Sequence, residues 1–323
     1  MNNQFFTDRE HEVRFFTVLL VALLFLLVVS LVSGIGDKRQ DFSAPPDVYV
    51  LPFPEVDLVA KSAYVYDMRT KTVLFAQNED ERLPLASVSK VMSALVATQA
   101  GLPYDTVFVT GEALEVMGDS GLYRDERWSL KDILDFSLLT SSNDGMRAVA
   151  LTLGALHELE ATSSSAIEGF VLMMNNKARE LGLSNSYFIN ETGLDESVSE
   201  AGAYSSVKDV NTLMDHVFMN YPEILEVTKE STIVSESLDR NVHIARNTNS
   251  IVGNIPGLLA SKTGYTDLAG GNLTIIFDPE IGRPIIVTVM GSTAEGRFDD
   301  VYALVNATMK YISGNEQIVI NEQ

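Results

Sequence analysis

"PLASVSKVM", residues Pro84 to Met92, is the stretch on which both fold and chemistry turn. Val88, Val91, Met92, Leu95 and Val96 recur at i, i+3, i+4, i+7 and i+8, which predicts a helix over Ala86 to Ala100 with Gly101 as its stop. Ser87 and Lys90 stand three residues apart in it, so one helical turn stacks them. Lys90 lies about 60° around the helix from Ser87, off the apolar stripe. Ala94 and Ala97 continue that second face, where a solvated face would carry long charged side chains, so another element is expected to pack against it. The pair is either a nucleophile with its base or the polar edge of an amphipathic helix, and spacing does not separate the two. With 28 serines and 10 lysines in 323 residues, chance alone supplies about one Ser-x-x-Lys. A second one does occur, Ser205 to Lys208 in "SSVK".

Composition narrows the chemistry. A formal net charge of −21 argues against nucleic acid as a partner, since phosphate binding needs clustered Lys and Arg, and against docking on anionic lipid by surface charge. The absence of cysteine excludes a disulfide framework and a thiolate zinc site. A serine hydroxyl is a weak nucleophile until a base takes its proton, and the usual base is histidine. His11, His157, His216 and His243 show neither metal-ligand nor nucleophile-elbow spacing and are expected as solvated or half-buried surface residues. A lysine serves as the base when burial brings its pKa toward neutrality. Lys90 meets that condition only if other parts of the chain cover the face it shares with Ser87.

Upstream, Phe15 to Ile35 holds no charge in 21 residues, roughly the 30 Å of a bilayer core. It is longer than the apolar region of a cleaved signal peptide, which favours an uncleaved anchor. Arg9 and Arg14 before it and Lys38 and Arg39 after it leave the orientation tied. Residues 36–56 carry Pro45, Pro46, Pro52 and Pro54 and are expected as an extended linker.

Downstream, "SAYVYD" (62–67) and "KTVLFA" (71–76) predict a hairpin. Ser129 with Asp132, and Ser206 with Asp209, form capping boxes ahead of helices, the second ending before Pro222. Asp144 to Leu153 and Glu168 to Leu181 are helical patterns, "NLTIIFD" and "PIIVTVMG" a strand pair, and "RFDDVYALVNATMKYI" a closing helix. A hairpin, then helices, then strands and a last helix predict an α/β sandwich with a helical insertion.

Two further segments bear on Ser87. "LLTSSNDG" contains Ser141-Ser142-Asn143 at a helix end, where such residues usually only cap. "ASKTGYTDLAGGNL" contains Lys262-Thr263-Gly264, which on its own reads as a polar turn before a strand. Together the three segments supply a nucleophile with its base, a second hydroxyl with an amide, and a cation beside a glycine that lets backbone approach a ligand.

In that order, "LASVSK", "SSND" and "KTGYTDLAGGNL" resemble the three active-site motifs of serine D-alanyl-D-alanine carboxypeptidases, the low-molecular-mass penicillin-binding proteins. The resemblance runs from about Lys61 to Ile312 and takes in "KARELGL" (177–183), "INETGLD" (189–195) and "RFDD" (297–300). It implies a β-lactamase/DD-peptidase-like α/β fold, an antiparallel sheet flanked by helices plus a mostly helical lobe, here with an N-terminal transmembrane helix. The expected division is a flank at 1–14, a transmembrane anchor at 15–35, the linker at 36–56, the catalytic domain at 57–315 and a tail at 316–323.

By the same resemblance Ser87 attacks the carbonyl between two D-alanines, Lys90 accepts its proton, and Ser141 relays that proton to the departing amine. Asn143 bonds the substrate amide and helps position Lys90. Lys262 and Thr263, beside Gly264, bind the terminal carboxylate with help from Arg297. The backbone N–H groups of Ser87 and Tyr265 form the oxyanion hole. No metal or organic cofactor is implied. The implied partners are a peptidoglycan stem peptide ending in D-Ala-D-Ala, β-lactam antibiotics as acylating inhibitors, and a bacterial cell membrane crossed once, with the catalytic domain outside the cytoplasm. Ser205 falls in a segment of no catalytic role and is expected as a helix cap.

Three positions depart from the family pattern: Met146 and Arg147 stand where relatives often have a small residue, and Ala203 where many have histidine. A β-lactamase shares the motifs, but its Glu-x-x-Leu-Asn phrase is met only in part by Glu191 and Leu194, with Asp195 in place of Asn. A DD-endopeptidase would use the same residues, and an inactive envelope scaffold should have lost at least one of them.

Overall fold

The computed structural model describes residues 4–33, 51–118, 120–155 and 162–321, with side chains over 13–27 and up to 315. The chain divides into two compact units, Met1–Val50 and Leu51–Gln323. In the first, α1 runs Gln4–Ser33, and the large apolar side chains between Phe15 and Leu27 stand exposed. Among the described residues no helix is long and apolar enough to cross a membrane. The described side chains of the expected 15–35 span end at Leu27, about 20 Å along it. Residues 34–50, which hold the end of that span and most of the linker, lie outside the described residues, as does His157.

The second unit opens with the hairpin β1 (Ser62–Asp67) and β2 (Thr72–Gln77), then β3 (Leu83–Pro84). The helical insertion follows: α2 (Lys90–Ala100), β4 (Thr106–Val109), β5 (Glu126–Ser129), α3 (Leu130–Thr140), α4 (Asn143–Gly154) and α5 (Ser163–Glu180). Then come β6 (Tyr187–Phe188), β7 (Ala203–Ser205), α6 (Val207–Asn220), α7 (Pro222–Leu225), β8 (Thr232–Glu236) and β9 (Val242–Arg246). Strands β10 (Leu258–Thr266), β11 (Gly270–Phe277) and β12 (Ile285–Ser292) and helix α8 (Gly296–Asn321) close the chain.

The main sheet is antiparallel, in the order β10-β11-β12-β1-β2. The two ends of the unit meet at its centre, where Ser62 pairs with Met290 and Asp67 with Ile285. Alternation along β12 divides the core. Ile285, Val287 and Val289 face a cluster with Phe298, Val301, Leu304 and Val305 of α8, whereas Ile286 and Met290 join the cluster of the helical lobe. At the centre of that lobe α2 is buried at every residue from Lys90 to Ala97, which is the covering that Ala94 and Ala97 predict.

Two boundaries differ from expectation. Phe53 packs on Phe75 and Tyr311, and Leu51 N–H donates to Asn315 Oδ1 at 2.7 Å, so residues 51–56 of the expected linker join the folded unit. Helix α8 runs on through Asn321 into the expected tail. His243 is buried rather than at the surface, because the alternation of β9 turns it and Ala245 inward. There it lies 2.8 Å from Glu126 Oε1, among Tyr123, Trp128 and Phe136.

Candidate active site

The predicted helix over Ala86 to Ala100 is in two parts: a 3₁₀ turn, Ala86–Ser89, that leads into α2. Leu85 and Val88 anchor the turn in the core, leaving Ser87 half-exposed at its tip. Ala86 carries φ +50°, a value that costs strain in a residue with a Cβ. The buried Asn272 amide of β11 holds the turn, donating to the carbonyls of Pro84 and Leu85 at 3.0 Å each while its oxygen accepts from Gly291 N–H at 2.9 Å. "GGN" in the third motif therefore contributes a bracket for the turn that carries Ser87, a task that its sequence does not announce.

Lys90 is fully buried. Its Nζ lies 2.8 Å from Ser87 Oγ, 2.7 Å from Asn143 Oδ1 and 2.8 Å from the Thr192 carbonyl. Burial lowers its pKa to about 7, against a smaller opposing pull from Glu191. At neutral pH a substantial share of Lys90 is thus unprotonated, with a lone pair available to the Ser87 hydroxyl.

Ser141-Ser142-Asn143 forms the corner between α3 and α4. Ser142 is the cap that sequence alone suggests, accepting from Gly145 N–H at 2.9 Å. Its neighbours serve the site. Ser141 ends α3 in the left-handed region at φ +62°, and its Oγ accepts from Lys262 Nζ at 2.9 Å. Asn143 bonds Lys90 through its oxygen and donates to the Met117 carbonyl at 2.7 Å.

Lys262-Thr263-Gly264 is not a turn before a strand. It lies inside β10, paired residue for residue with β11. Lys262 is buried and its pKa is pushed well down, first by burial and then by Lys90 and Arg297 nearby. The Thr263 and Thr248 hydroxyls share a hydrogen bond at 2.5 Å. A Cβ at Gly264 would stand 3.0 Å from the Leu85 carbonyl oxygen and 3.2 Å from Ser87 N, so glycine is what lets β10 pass beside Ser87. Arg297 donates from Nη1 to the Gly264 carbonyl at 2.7 Å, and Tyr265 follows with its ring half-exposed.

The structure brings Lys90, Asn143 and Gly264 to Ser87, bonds Lys262 to Ser141 and Arg297 to the Gly264 carbonyl, and carries Thr263 and Tyr265 on either side of Gly264 in β10, whereas the decoy lies elsewhere. Ser205 sits in β7, shares a 2.8 Å hydrogen bond with Ser186 Oγ and caps nothing. The cap of α6 is its neighbour Ser206, which accepts from Asp209 N–H. Sequence reasoning missed Asn272, Thr192 and Glu191 as site-supporting residues. Their signal was present only as membership in "GGNL" and "NETGL".

The site offers a hydroxyl with an adjacent low-pKa amine, a second hydroxyl beside a second lysine, and a flanking strand: the requirements of acyl transfer through a serine. Residues 50–294 match the sequence profile of the family described as D-alanyl-D-alanine carboxypeptidase. The chain is 32% identical over 245 residues to D-alanyl-D-alanine carboxypeptidase DacF of Bacillus subtilis, spanning 74% of this chain and 59% of that one. It is 31% identical over 251 residues to a D-alanyl-D-alanine endopeptidase of Pseudomonas aeruginosa, spanning 76% and 75%. Among solved structures it superposes on penicillin-binding protein D2 of Listeria monocytogenes, in its ampicillin-bound form, with a TM-score of 0.64 at 29% identity over 79% of this chain and 99% of that one.

Proposed function

Because the chain belongs to the D-alanyl-D-alanine carboxypeptidase family, we propose that it is a serine hydrolase removing the terminal D-alanine from peptidoglycan stem peptides. The observation that carries this is the buried Lys90 amine 2.8 Å from Ser87 Oγ, with a pKa near 7. Ser87 Oγ attacks the carbonyl between the two D-alanines while its proton passes to Lys90. The N–H groups of Ser87 and Tyr265 receive the oxyanion. Ser141, bonded to Lys262, relays the proton to the leaving amine, and water then cleaves the acyl-serine. The buried Lys262, with Thr263 and Arg297, takes the terminal carboxylate, whose arrival supplies a counter-charge among clustered cations. A β-lactam ring amide acylates Ser87 by the same attack, in keeping with the ampicillin-bound relative.

Full-length protein should release D-alanine from a D-Ala-D-Ala pentapeptide and take a fluorescent penicillin label. Ser87→Ala should abolish both and Ser205→Ala should keep both. Labelling of Ser87→Ala with loss in Ser205→Ala would overturn the assignment. A second activity, cutting peptidoglycan cross-links, is supported by endopeptidase relatives from Pseudomonas aeruginosa and Escherichia coli that this chain spans over 75% and 72% of their length. A cross-linked dimeric muropeptide offered beside the pentapeptide separates the two.

The uncharged run at 15–35 supports a single-pass anchor, with the catalytic domain on the outer side of the bacterial cell membrane, where peptidoglycan is. Protease added to intact spheroplasts should then digest the C-terminal domain. A protected domain would sink both topology and function.

A further inference from the structure

Arg147 of α4 has an ion-pair partner far along the chain. Its Nε lies 2.5 Å from Glu191 Oε1. Glu191 is completely buried, and its second oxygen, Oε2, has no hydrogen-bond partner among the described residues. A buried carboxylate is retained only where its charge is compensated.

Glu191 stands where its charge reaches the site. Arg147 is four residues after Asn143 on α4, so the residue bonding Lys90 and the residue bonding Glu191 share one helix face. The Glu191 carbonyl accepts from Ser93 Oγ at 2.6 Å, one turn along α2 from Lys90. The next carbonyl, Thr192, accepts from Lys90 itself at 2.8 Å. The turn is rigid. Asn190 Oδ1 accepts from Thr192 N–H, Thr192 Oγ1 and Gly193 N–H, and Gly193, at φ +79°, would place a Cβ 2.0 Å from the Ala86 carbonyl oxygen.

We propose that the Arg147–Glu191 pair is a positioning device for the general base: Glu191 is the buried counter-charge of Lys90, and Arg147 sets how much of that charge Lys90 feels. This rests on the serine-acylation reading above. The other groups around Lys90 cannot take this part. Ser87, Asn143 and Thr192 are neutral, Lys262 of β10 is a second amine with Arg297 of α8 beside it and brings no negative charge, and the carboxylate whose charge pulls on Lys90 is Glu191. Against Glu191 stand Arg147 from α4, Lys90 from α2 and the neutral Ser93. Glu191 thus favours the protonated amine, burial favours the neutral one, and Arg147 moderates the first effect.

The test is the pH profile of the second-order acylation rate with a fluorescent penicillin, measured on full-length protein. Glu191→Gln keeps the shape and removes the charge, so the acid limb should move to lower pH by about one unit while the alkaline plateau is kept. Arg147→Gln leaves Glu191 to act on Lys90 alone and should move the limb upward, and Arg147→Lys should return it to the wild-type position. These opposite directions are what a merely structural pair would not produce, since lost packing lowers the plateau without moving the limb. If Glu191→Gln does not fold, the two Arg147 variants carry the test with Glu191 intact. A wild type that labels, with limbs that coincide in all variants, overturns the inference alone. A wild type that forms no adduct sinks the acylation reading and this inference with it.

Discussion

Ser87–Lys90 and Ser205–Lys208 have the same spacing, and the molecule treats them oppositely. Ser87 and Lys90 lie on continuous helical backbone, a 3₁₀ turn running into α2, so the spacing stacks them and their polar atoms meet at 2.8 Å. Between Ser205 and Lys208 an element boundary intervenes, the end of β7 and the start of α6, and Lys208 reaches Asp80 at the surface instead. Burial brings Lys90 down to about 7, whereas the hydrogen bond to Asp80 holds Lys208 above its ordinary value. On the proposed mechanism, what makes a Ser-x-x-Lys a nucleophile and base is the cover over the lysine. Spacing alone produces an ordinary surface ion pair.

The sharpest way to break this contrast is to remove each amine in turn. Lys90→Met should lower penicillin acylation by about 10²- to 10⁴-fold, the usual worth of a positioned base. Lys208→Met should leave the rate within about two-fold, since a surface ion pair contributes little. Equal losses in the two variants would mean that burial is not the difference.

Much of this was legible in the sequence because local rules decided it. The apolar stripe after Ser87, the hairpin before it and the caps at Ser129 and Ser206 depend on neighbours within a turn or two, and the structure keeps each of them. What depended on distant contact was not legible. Strand β10 is a sheet edge whose Lys262 reaches Ser141 of the α3–α4 corner and whose Thr263 reaches Thr248, partners 121 and 15 residues away, so its polar pattern mimics a turn. Arg147 and Glu191 are 44 residues apart, and only the fold makes one the partner of the other. The misread cap has a local cause. Ser205 and Ser206 are adjacent, and only the backbone shows that β7 claims the first and α6 the second.

Lys262 offers the next largest effect. It is the second buried lysine, and its proposed task is binding rather than proton transfer. Lys262→Ala should therefore weaken kcat/KM for the D-Ala-D-Ala pentapeptide by about 10- to 100-fold, the worth of a hydrogen bond to a charged group. A methyl-ester substrate, which lacks the terminal carboxylate, should lose much less. Equal losses on acid and ester would move Lys262 from the carboxylate to the proton relay.

A pH scan gives a smaller, graded effect. On the proposed mechanism acylation needs Lys90 unprotonated, and its pKa is about 7. The rate should therefore be level above that value and fall toward tenfold per unit below it, leaving about a tenth of the plateau at pH 6. Lys208, whose proton Asp80 holds more firmly, should add no inflection in this range. A flat profile from pH 6 to 8 would mean that Lys90 is not the group that receives the proton.

The smallest effect separates two adjacent serines, and its readout is stability. Ser206 Oγ accepts from Asp209 N–H at 3.2 Å at the first turn of α6, where a lost cap costs about 1 kcal/mol. Ser205 is buried in β7, shares a bond with Ser186 Oγ and donates to the Ser206 carbonyl, so its alanine variant leaves a buried partner less satisfied and also costs about 1 kcal/mol. Urea midpoints should then fall by similar amounts in Ser205→Ala and Ser206→Ala, with penicillin acylation unchanged in both. Combined, the two should lose less than their sum, because the carbonyl that Ser205 bonds belongs to the residue that caps α6. Strict additivity would show that the hydroxyls act independently. Loss of acylation in either variant would reopen the decoy pair as part of the site.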